Sequence, residues 1–312
     1  MATVLPAPIR TLFSHFPLYT YPATTSPYQA SPIRTPTLWI RPPRTASGSD
    51  VLSSDVECLK WQAYLALKFS QTVDPARVAV RWDVSPSGAV DGRLPNLHVA
   101  LESLPPTLIG KDAKVKDDGE GEVLPAHHIP EWVSGRLGED ADELEGYKNI
   151  EARDESRAWV ALLEGNVHAA LIAFSPSATS NLSALSPDPS SSSFFSSNGS
   201  LSISLSQPPA PLTGLLSLIP PYGQRVDLHA IEEKYIDAIK ALSDRLGEDT
   251  WILGSTGPTP LDALVFAYLH SLLRSHAKEN TLRFEVSRRA NLVAYEDRVR
   301  ATVSNAFVVY RK

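Results

Sequence analysis

The chain has 312 residues, 43% of them hydrophobic, and a formal net charge of −6 at pH 7. This length and apolar content suffice for two domains with cores of their own. The acidic balance, with no basic stripe carrying interleaved aromatic residues, argues against nucleic-acid binding. The single cysteine excludes an intramolecular disulfide framework and fits a reducing compartment.

Residues 1–36 predict a Pro-rich extended arm. Scattered arginines give the segment a superficial likeness to a transit peptide, but nine prolines within residues 1–43 forbid the amphipathic helix that such a peptide needs. We therefore favour an arm over a cleaved presequence. Its aromatic residues pack either on the chain's own domain or on a partner, and the candidates for partner binding are Phe13, Phe16, Tyr19 and Tyr21.

The most apolar stretch, residues 159–174, is interrupted by Glu164, Asn166 and His168. A membrane helix needs about 20 consecutive apolar residues. We therefore expect that the chain has no span of its own and that any membrane attachment uses a partner or a surface.

Residues 37–140 predict a β-α-β-β-β-α domain in which Pro95 introduces the third strand. The elements are strands at Thr37–Arg41, Arg77–Val84 and Leu97–Leu101, an edge strand at Thr107–Ile109, a charged loop at Lys111–Glu122, and helices from 54 to about 69 and at Ile129–Leu137. Ser54 and Glu57 have the spacing of a capping box, so we expect them to begin the first helix.

Residues 141–312 predict a helical domain. Apolar residues at spacings of three and four mark helices after Glu151, over Leu228–Leu246 and through Tyr295 near the end of the chain. An insertion of about 175–210 is rich in serine and cannot bury enough apolar surface to order itself, so we predict that it is disordered.

The clearest helix start is at Thr259. Thr259 and Asp262 form a second capping box, and Pro260 occupies the first helical position, where its missing N–H costs nothing. The following residues, Leu261–Leu273, are apolar almost all round, which predicts a buried helix.

This capped, buried helix and the proline-led strand resemble the two halves of glutathione-transferase-like folds. The resemblance implies an α/β plus all-α architecture, with an N-terminal thioredoxin-like domain and a C-terminal helical domain. In such enzymes a hydroxyl or thiol near the first helix activates the glutathione thiol. The candidates here are Ser47, Ser49, Ser53, Ser54 and Cys58.

These candidates do not predict a transferase site. We expect Ser54 to be the helix cap and Cys58 a core residue. The pair Glu102-Ser103 matches the carboxylate-binding turn of such enzymes only weakly. His98 and His127-His128 lack metal-ligand spacing, and we expect these histidines to be exposed. The sequence thus predicts a protein that is not an enzyme and holds no cofactor or metal.

Several stretches in the same order resemble the metaxin family. They are 57–65 (ECLKWQAYL), 92–99 (GRLPNLHV), 155–170, 246–266 and 291–295 (NLVAY). The Pro-rich arm and the missing span resemble the smaller, peripheral fungal member of that family.

The metaxin resemblance implies a non-enzymatic, peripheral subunit on the cytosolic face of the mitochondrial outer membrane. There it would belong to the sorting and assembly machinery, beside a membrane β-barrel insertase and a larger metaxin-like subunit. It would recognise the sorting signals of β-barrel precursors and aid their insertion. The alternatives are a glutathione-dependent transferase and a soluble adaptor of the same fold.

An extended precursor signal could pair with a strand edge. Thr107–Ile109 is a candidate edge because Pro105-Pro106 precedes it. We prefer the simpler interpretation that it is an ordinary edge strand.

Overall fold

The computed structural model describes residues 35–44, 51–70, 78–100, 121–138, 144–174, 200–203, 224–274 and 281–309. Several predicted features lie outside these residues. They are the arm with Phe13, Phe16, Tyr19 and Tyr21, the Ser47 and Ser49 hydroxyls, Glu102-Ser103, the edge strand Thr107–Ile109 and most of the Ser-rich insertion.

The described part of the chain begins with four strands and one helix, and most of the helices follow them. The strands are β1 (Thr37–Trp39), β2 (Val78–Arg81), β3 (Asn96–Ala100), β4 (Gly121–Pro125), β5 (Ser200–Ile203), β6 (Gln224–Asp227) and β7 (Phe307–Val309). The helices are α1 (Val56–Ser70), α2 (Ile129–Leu137), α3 (Ile150–Leu162), α4 (His168–Ala173), α5 (Leu228–Leu246), α6 (Pro260–Leu273), α7 (Thr281–Ser287) and α8 (Ala290–Ala306).

One mixed sheet carries five of the strands, in the order β4-β3-β1-β2-β7. Leu38 of β1 lies opposite Val80 in a parallel pairing with β2 and opposite Leu97 in an antiparallel pairing with β3. All three residues of β1 are buried, as expected for a central strand covered on both faces.

Both edges of this sheet depart from the prediction. β4 begins inside the predicted charged loop Lys111–Glu122 and pairs antiparallel with β3. β7 comes from the end of the predicted helical domain and pairs in parallel with β2. Neither strand shows a long alternating pattern of apolar and polar residues, because each has at most five residues.

The predicted capping box at the start of α1 is wrong. The Asp55 carboxylate, not the Ser54 hydroxyl, accepts the Cys58 N–H at 3.1 Å. The Ser54 hydroxyl instead donates to the Pro42 carbonyl at 2.8 Å, and Glu57 accepts from the indole N–H of Trp61 at 2.8 Å. Aspartate is as good an N-cap as serine. Because Asp55 takes the N-cap position predicted for Ser54, the helix begins one residue later than predicted.

α1 and α6 pack against each other and join the sheet to the helical region. Cys58, Leu59 and Leu65 of α1 are fully buried. α6 is buried along almost its whole length, as its uniformly apolar sequence predicts. The hydrophobic core therefore runs without interruption from the sheet through α1 into the helices.

The helical region confirms most of the predicted periodicity. α5 has the predicted bounds, with the Asp227 carboxylate as its N-cap and Gly247 at φ 51° as its C-cap. The helix after Glu151 continues through a five-residue π-helical segment, Leu163–Val167. α7 is not predicted by the sequence. No helix within the described ranges is long and apolar enough to cross a membrane.

The Ser-rich insertion is described only at Ser200–Ile203. These four residues form β5 and pair antiparallel with β6. At these residues the structure has a short strand where the sequence predicts disorder. The rest of the insertion lies outside the described residues.

Asp262 confirms the second capping box and extends it into the core. Its Oδ2 accepts the N–H and the hydroxyl of Thr259, at 2.8 and 2.7 Å. Its Oδ1 accepts the Ile252 N–H at 2.9 Å and the Tyr295 hydroxyl at 2.7 Å. Burial raises the pKa of Asp262, while these hydrogen bonds act in the opposite direction. One carboxylate thus ties the start of α6 to α8.

Candidate functional site

A cleft of about 480 Å³ opens where α1, the chain before β3 and the turn after β4 meet. This volume is within the range of small-molecule and cofactor sites, roughly 300–1,000 Å³. Its walls are formed by Glu57, Trp61, Val90, Arg93, Leu94, Pro95, Asn96, Pro125, Ala126 and His127. Two predicted structural residues, Glu57 and Pro95, therefore lie in the wall of the cleft.

The floor of the cleft is fixed by the segment that leads into β3. Short 3-10 turns at Pro86–Gly88 and Val90–Gly92 bring the chain round, with Gly92 at φ +64°. The Asn96 side chain then accepts the Val90 N–H at 3.0 Å and donates to the Pro95 carbonyl at 3.1 Å. Because Asn96 is buried, these two bonds hold the floor in one conformation.

The α1 wall is an aromatic side chain held by a carboxylate. Glu57 accepts from Trp61 one turn later and also pairs with Lys60 at 2.7 Å. The Trp61 ring meets Tyr64 edge to face at 5.6 Å. Since Glu57 is half exposed, its ion pair with Lys60 adds little stability. Its hydrogen bond from the Trp61 N–H, however, sets the orientation of the indole ring.

Two basic side chains, those of Arg93 and His127, also line the cleft. Arg93 is exposed and has no ion pair with any residue in the described part of the chain. His127 is exposed, and its ring centroid lies 4.3 Å from that of His128, with the two rings tilted by 44°. His128 Nδ1 lies 3.5 Å from a carboxylate oxygen of Glu131. The cleft thus combines an apolar aromatic wall with separated charges of both signs, which suits an amphipathic ligand.

The hydroxyls near the start of α1 are bonded to the backbone. Ser53 donates to the Arg41 carbonyl at 2.9 Å and accepts the Asp55 N–H at 3.2 Å. Ser54 donates to the Pro42 carbonyl. Neither hydroxyl lines the cleft. Of the five candidates for thiol activation, Ser47 and Ser49 lie outside the described residues.

Cys58 is a core residue, as predicted. Its side chain is fully buried, and its sulfur accepts the Arg41 N–H at 3.5 Å. Burial, and then the nearby Asp55 carboxylate, raise the pKa of the Cys58 thiol to about 12. The sulfur therefore stays protonated near neutral pH and is a poor nucleophile.

The expectation that the strand histidine is exposed is wrong. His98 is buried in β3, and its ring lies 5.1 Å from that of Trp39 in the neighbouring strand. Burial, assisted by the positive charge of Arg81, lowers the pKa of His98 to about 4. His98 is thus a neutral core residue. Four consecutive residues of β3 are buried, so its sequence alternation does not show which of them are exposed.

Residues 235–299 match the sequence family described as "Glutathione S-transferase, C-terminal domain". The match runs from α5 to α8 and includes Thr259, Asp262 and Tyr295. The fold is glutathione-transferase-like. The predicted architecture is thereby confirmed: a thioredoxin-like sheet region precedes a helical C-terminal domain.

Solved glutathione transferases resemble the chain at low identity. The enzyme from Xylella fastidiosa shares 13% identity at a TM-score of 0.42, over 87% of this chain and 98% of that chain. One from Methylobacterium radiotolerans, solved with glutathione sulfonate, shares 14% at 0.43, over 89% and 97%. One from Streptococcus pneumoniae, solved with glutathione, shares 11% at 0.44, over 90% and 87%. No curated protein matches the chain.

The sequence identifies only part of this site. Glu57 and Pro95 come from the capping and strand patterns, while Arg93 and His127 are missed. The proline-led strand is the one signal that could have indicated Arg93, since Arg93 lies two residues before Pro95. No local signal brings His127 to the cleft, because its position depends on the unpredicted strand β4.

Proposed function

We propose that this protein is a non-enzymatic, peripheral subunit of the mitochondrial outer-membrane β-barrel assembly machinery. On the cytosolic face it binds the sorting signals of β-barrel precursors and aids their insertion. Its partners are a membrane β-barrel insertase and a larger metaxin-like subunit. The cleft between Trp61 and Arg93 is the binding surface in this proposal.

One observation carries the proposal: two separate metaxin-like stretches form the same cleft. Glu57 and Trp61 come from the stretch 57–65, and Arg93 to Asn96 come from the stretch 92–99. Two sequence stretches that served only to pack the core would have no reason to line the same open cleft. Their meeting there supports a shared binding role.

The chemistry of the cleft supports binding rather than thiol transfer. Ser53 and Ser54 bond to backbone carbonyls, and the Cys58 thiol is buried with a raised pKa. The described lining contains an indole, apolar side chains, a carboxylate and two basic groups. An extended peptide with alternating apolar residues could place its side chains against Trp61 and its polar groups near Arg93.

Native gel electrophoresis of mitochondria tests the localisation. The tagged full-length chain should migrate with a β-barrel insertase and should be released by carbonate, as expected for a peripheral protein. Recovery only in the cytosol, with no barrel protein on the native gel, contradicts the proposal. The variant Arg157→Gln, whose side chain is 72% exposed on α3, should migrate and be released as the unaltered protein is.

Glutathione-dependent transfer is the second candidate, and the cleft beside Pro95 in a glutathione-transferase-like fold is the observation that favours it. A titration with glutathione distinguishes the two candidates. Binding at about millimolar concentration, together with conjugating activity, supports the enzyme, and no binding at that concentration contradicts it. A soluble adaptor, the third alternative, would instead recover a cytosolic partner in a pull-down.

A further inference from the structure

Helix α7 presents an aromatic side chain to solvent. Phe284 is 63% exposed, more than the other large hydrophobic residues in the described ranges. Leu282 and Val286, one turn apart, are buried and hold the helix against the domain. Phe284 therefore lies on the outer side of a fixed helix, with Arg288 one turn further on the same side.

Positive charge surrounds Phe284. Among the described residues of 274–289 there are four arginines and a single acidic residue, Glu285, although the whole chain has a net charge of −6. Glu285 is largely buried and pairs with Arg288 at 3.0 Å and Arg289 at 3.1 Å. Arg274 and Arg283 are exposed and have no ion pair with a described residue. The outer side of α7 is thus cationic.

We propose that this basic face, defined as Arg283, Phe284 and Arg288, docks on the anionic surface of a lipid bilayer. Guanidinium groups bind phosphate with two parallel hydrogen bonds, and an exposed phenyl ring can insert at the boundary between headgroups and acyl chains. Each basic residue near an anionic surface contributes roughly fivefold in affinity.

A bilayer fits this face better than a specific protein partner does. α7 has seven residues, so it extends over about 10 Å, too little for a stable protein interface by itself. The strength of a membrane contact scales with the buried apolar area and the attraction to anionic lipids, and it needs no partner of complementary shape. The exposed Ile150 offers a contrast, because its neighbours on α3 are of mixed charge: Glu151, Arg153 and Asp154.

The proposal rests on the proposed function for its mitochondrial setting, and it adds a second, direct attachment to the membrane. The isolated full-length protein tests it without any partner. The probe is flotation with phosphatidylcholine vesicles that contain about 30% phosphatidylserine, compared with vesicles of phosphatidylcholine alone. The basic-face variants are Arg283→Gln and Phe284→Ser. The matched controls are Arg157→Gln and Ile150→Ser, both at exposed sites of α3.

The unaltered protein should float with anionic vesicles and not with neutral ones, and added salt should release it. Arg283→Gln should lower the apparent affinity about fivefold. Phe284→Ser should lower it about tenfold, because the apolar contact is lost. The controls should bind as the unaltered protein does. Thermal unfolding should be unchanged in all four variants, since the replaced side chains are exposed.

Equal binding of the basic-face variants and the controls would overturn the proposal. Equal binding to neutral and anionic vesicles would also overturn it. If Arg283→Gln loses its association with the insertase but binds vesicles unchanged, the face is a protein interface and the proposal is again overturned. The two proposals fail in distinguishable ways. A protein that floats with vesicles but never associates with mitochondria contradicts only the proposed function, and the converse contradicts only the membrane contact.

Discussion

Two carboxylates in the first turns of neighbouring helices have opposite surroundings. Asp262 of α6 is fully buried, and both of its oxygens accept hydrogen bonds from the core. Glu57 of α1 is half exposed and faces an open cleft. The same kind of residue therefore fixes the fold in one place and shapes a surface in the other. Burial, rather than residue type, separates the two roles.

Replacing Asp262 should have the largest effect on stability. Asp262→Ala leaves the N–H groups of Ile252 and Thr259 without an acceptor in the core, and it leaves the Tyr295 hydroxyl only the backbone carbonyl of residue 262, at 3.3 Å. We expect the free energy of unfolding to fall by about 3–5 kcal/mol. Urea unfolding followed by circular dichroism measures this loss.

The matched replacement is Glu57→Ala, which removes only an exposed pair and should cost about 0.5 kcal/mol. Similar losses for the two variants would show that the contrast between the carboxylates is wrong.

Acid should destabilise the protein through His98. Its pKa is about 4 in the folded protein, against a usual value of 6.5, so between these values the unfolded chain binds a proton that the folded protein does not. Stability is therefore full above pH 6.5 and falls as the pH drops towards 4, by about 2–3 kcal/mol. Urea midpoints measured across this range check the slope.

His98→Gln removes the titrating ring and should flatten the slope between pH 4 and 6.5. The variant Arg157→Gln should leave it unchanged, because that side chain is exposed and far from the strand in sequence. A slope that survives His98→Gln would assign the acid sensitivity to other groups.

The start of α1 gives a smaller effect that separates two neighbouring residues. Asp55→Ala removes the cap on the Cys58 N–H and should cost about 1 kcal/mol. Ser54→Ala removes a single, exposed hydrogen bond to the Pro42 carbonyl and should lower the free energy of unfolding by less, about a few tenths of a kcal/mol. The reverse order in urea unfolding would restore Ser54 as the cap.

The sequence predicts the helices of this fold better than its sheet edges. α5, α6 and the last helix follow from local periodicity and capping, since their packing faces lie within one segment. β4 and β7 are missed because each is short and has a weak local pattern, and the partner of β7 lies far away in the chain. The Ser54 cap is missed for a different reason: Ser54 and Asp55 are both good caps, and only tertiary contacts choose between them.

The cleft could be predicted only in outline. Pro95 and Glu57 stand out in the sequence, but their meeting depends on how α1 packs beside β3. The His127 side of the cleft depends on β4, which the sequence does not predict. Open sites leave a weaker local pattern than cores, because their residues do not have to satisfy a hydrophobic period.

The smallest effect on stability is expected at Arg93, where the functional effect should be clearest. Arg93→Gln removes an exposed cation and should change the free energy of unfolding by less than about 0.5 kcal/mol. Binding of a fluorescent peptide carrying a β-barrel sorting signal should weaken about fivefold, measured by fluorescence anisotropy. Arg157→Gln should bind the peptide as the unaltered protein does.

Site-specific photocrosslinking in mitochondria tests the central claim, that the cleft binds β-barrel precursors, most directly. A crosslinking amino acid at position 93 or 127, on the wall of the cleft, should capture a β-barrel precursor during import. The same amino acid at position 157, on the exposed side of α3, should not. Crosslinks from position 157 alone, or from none of the three positions in an import-competent preparation, would contradict the proposed role of the cleft.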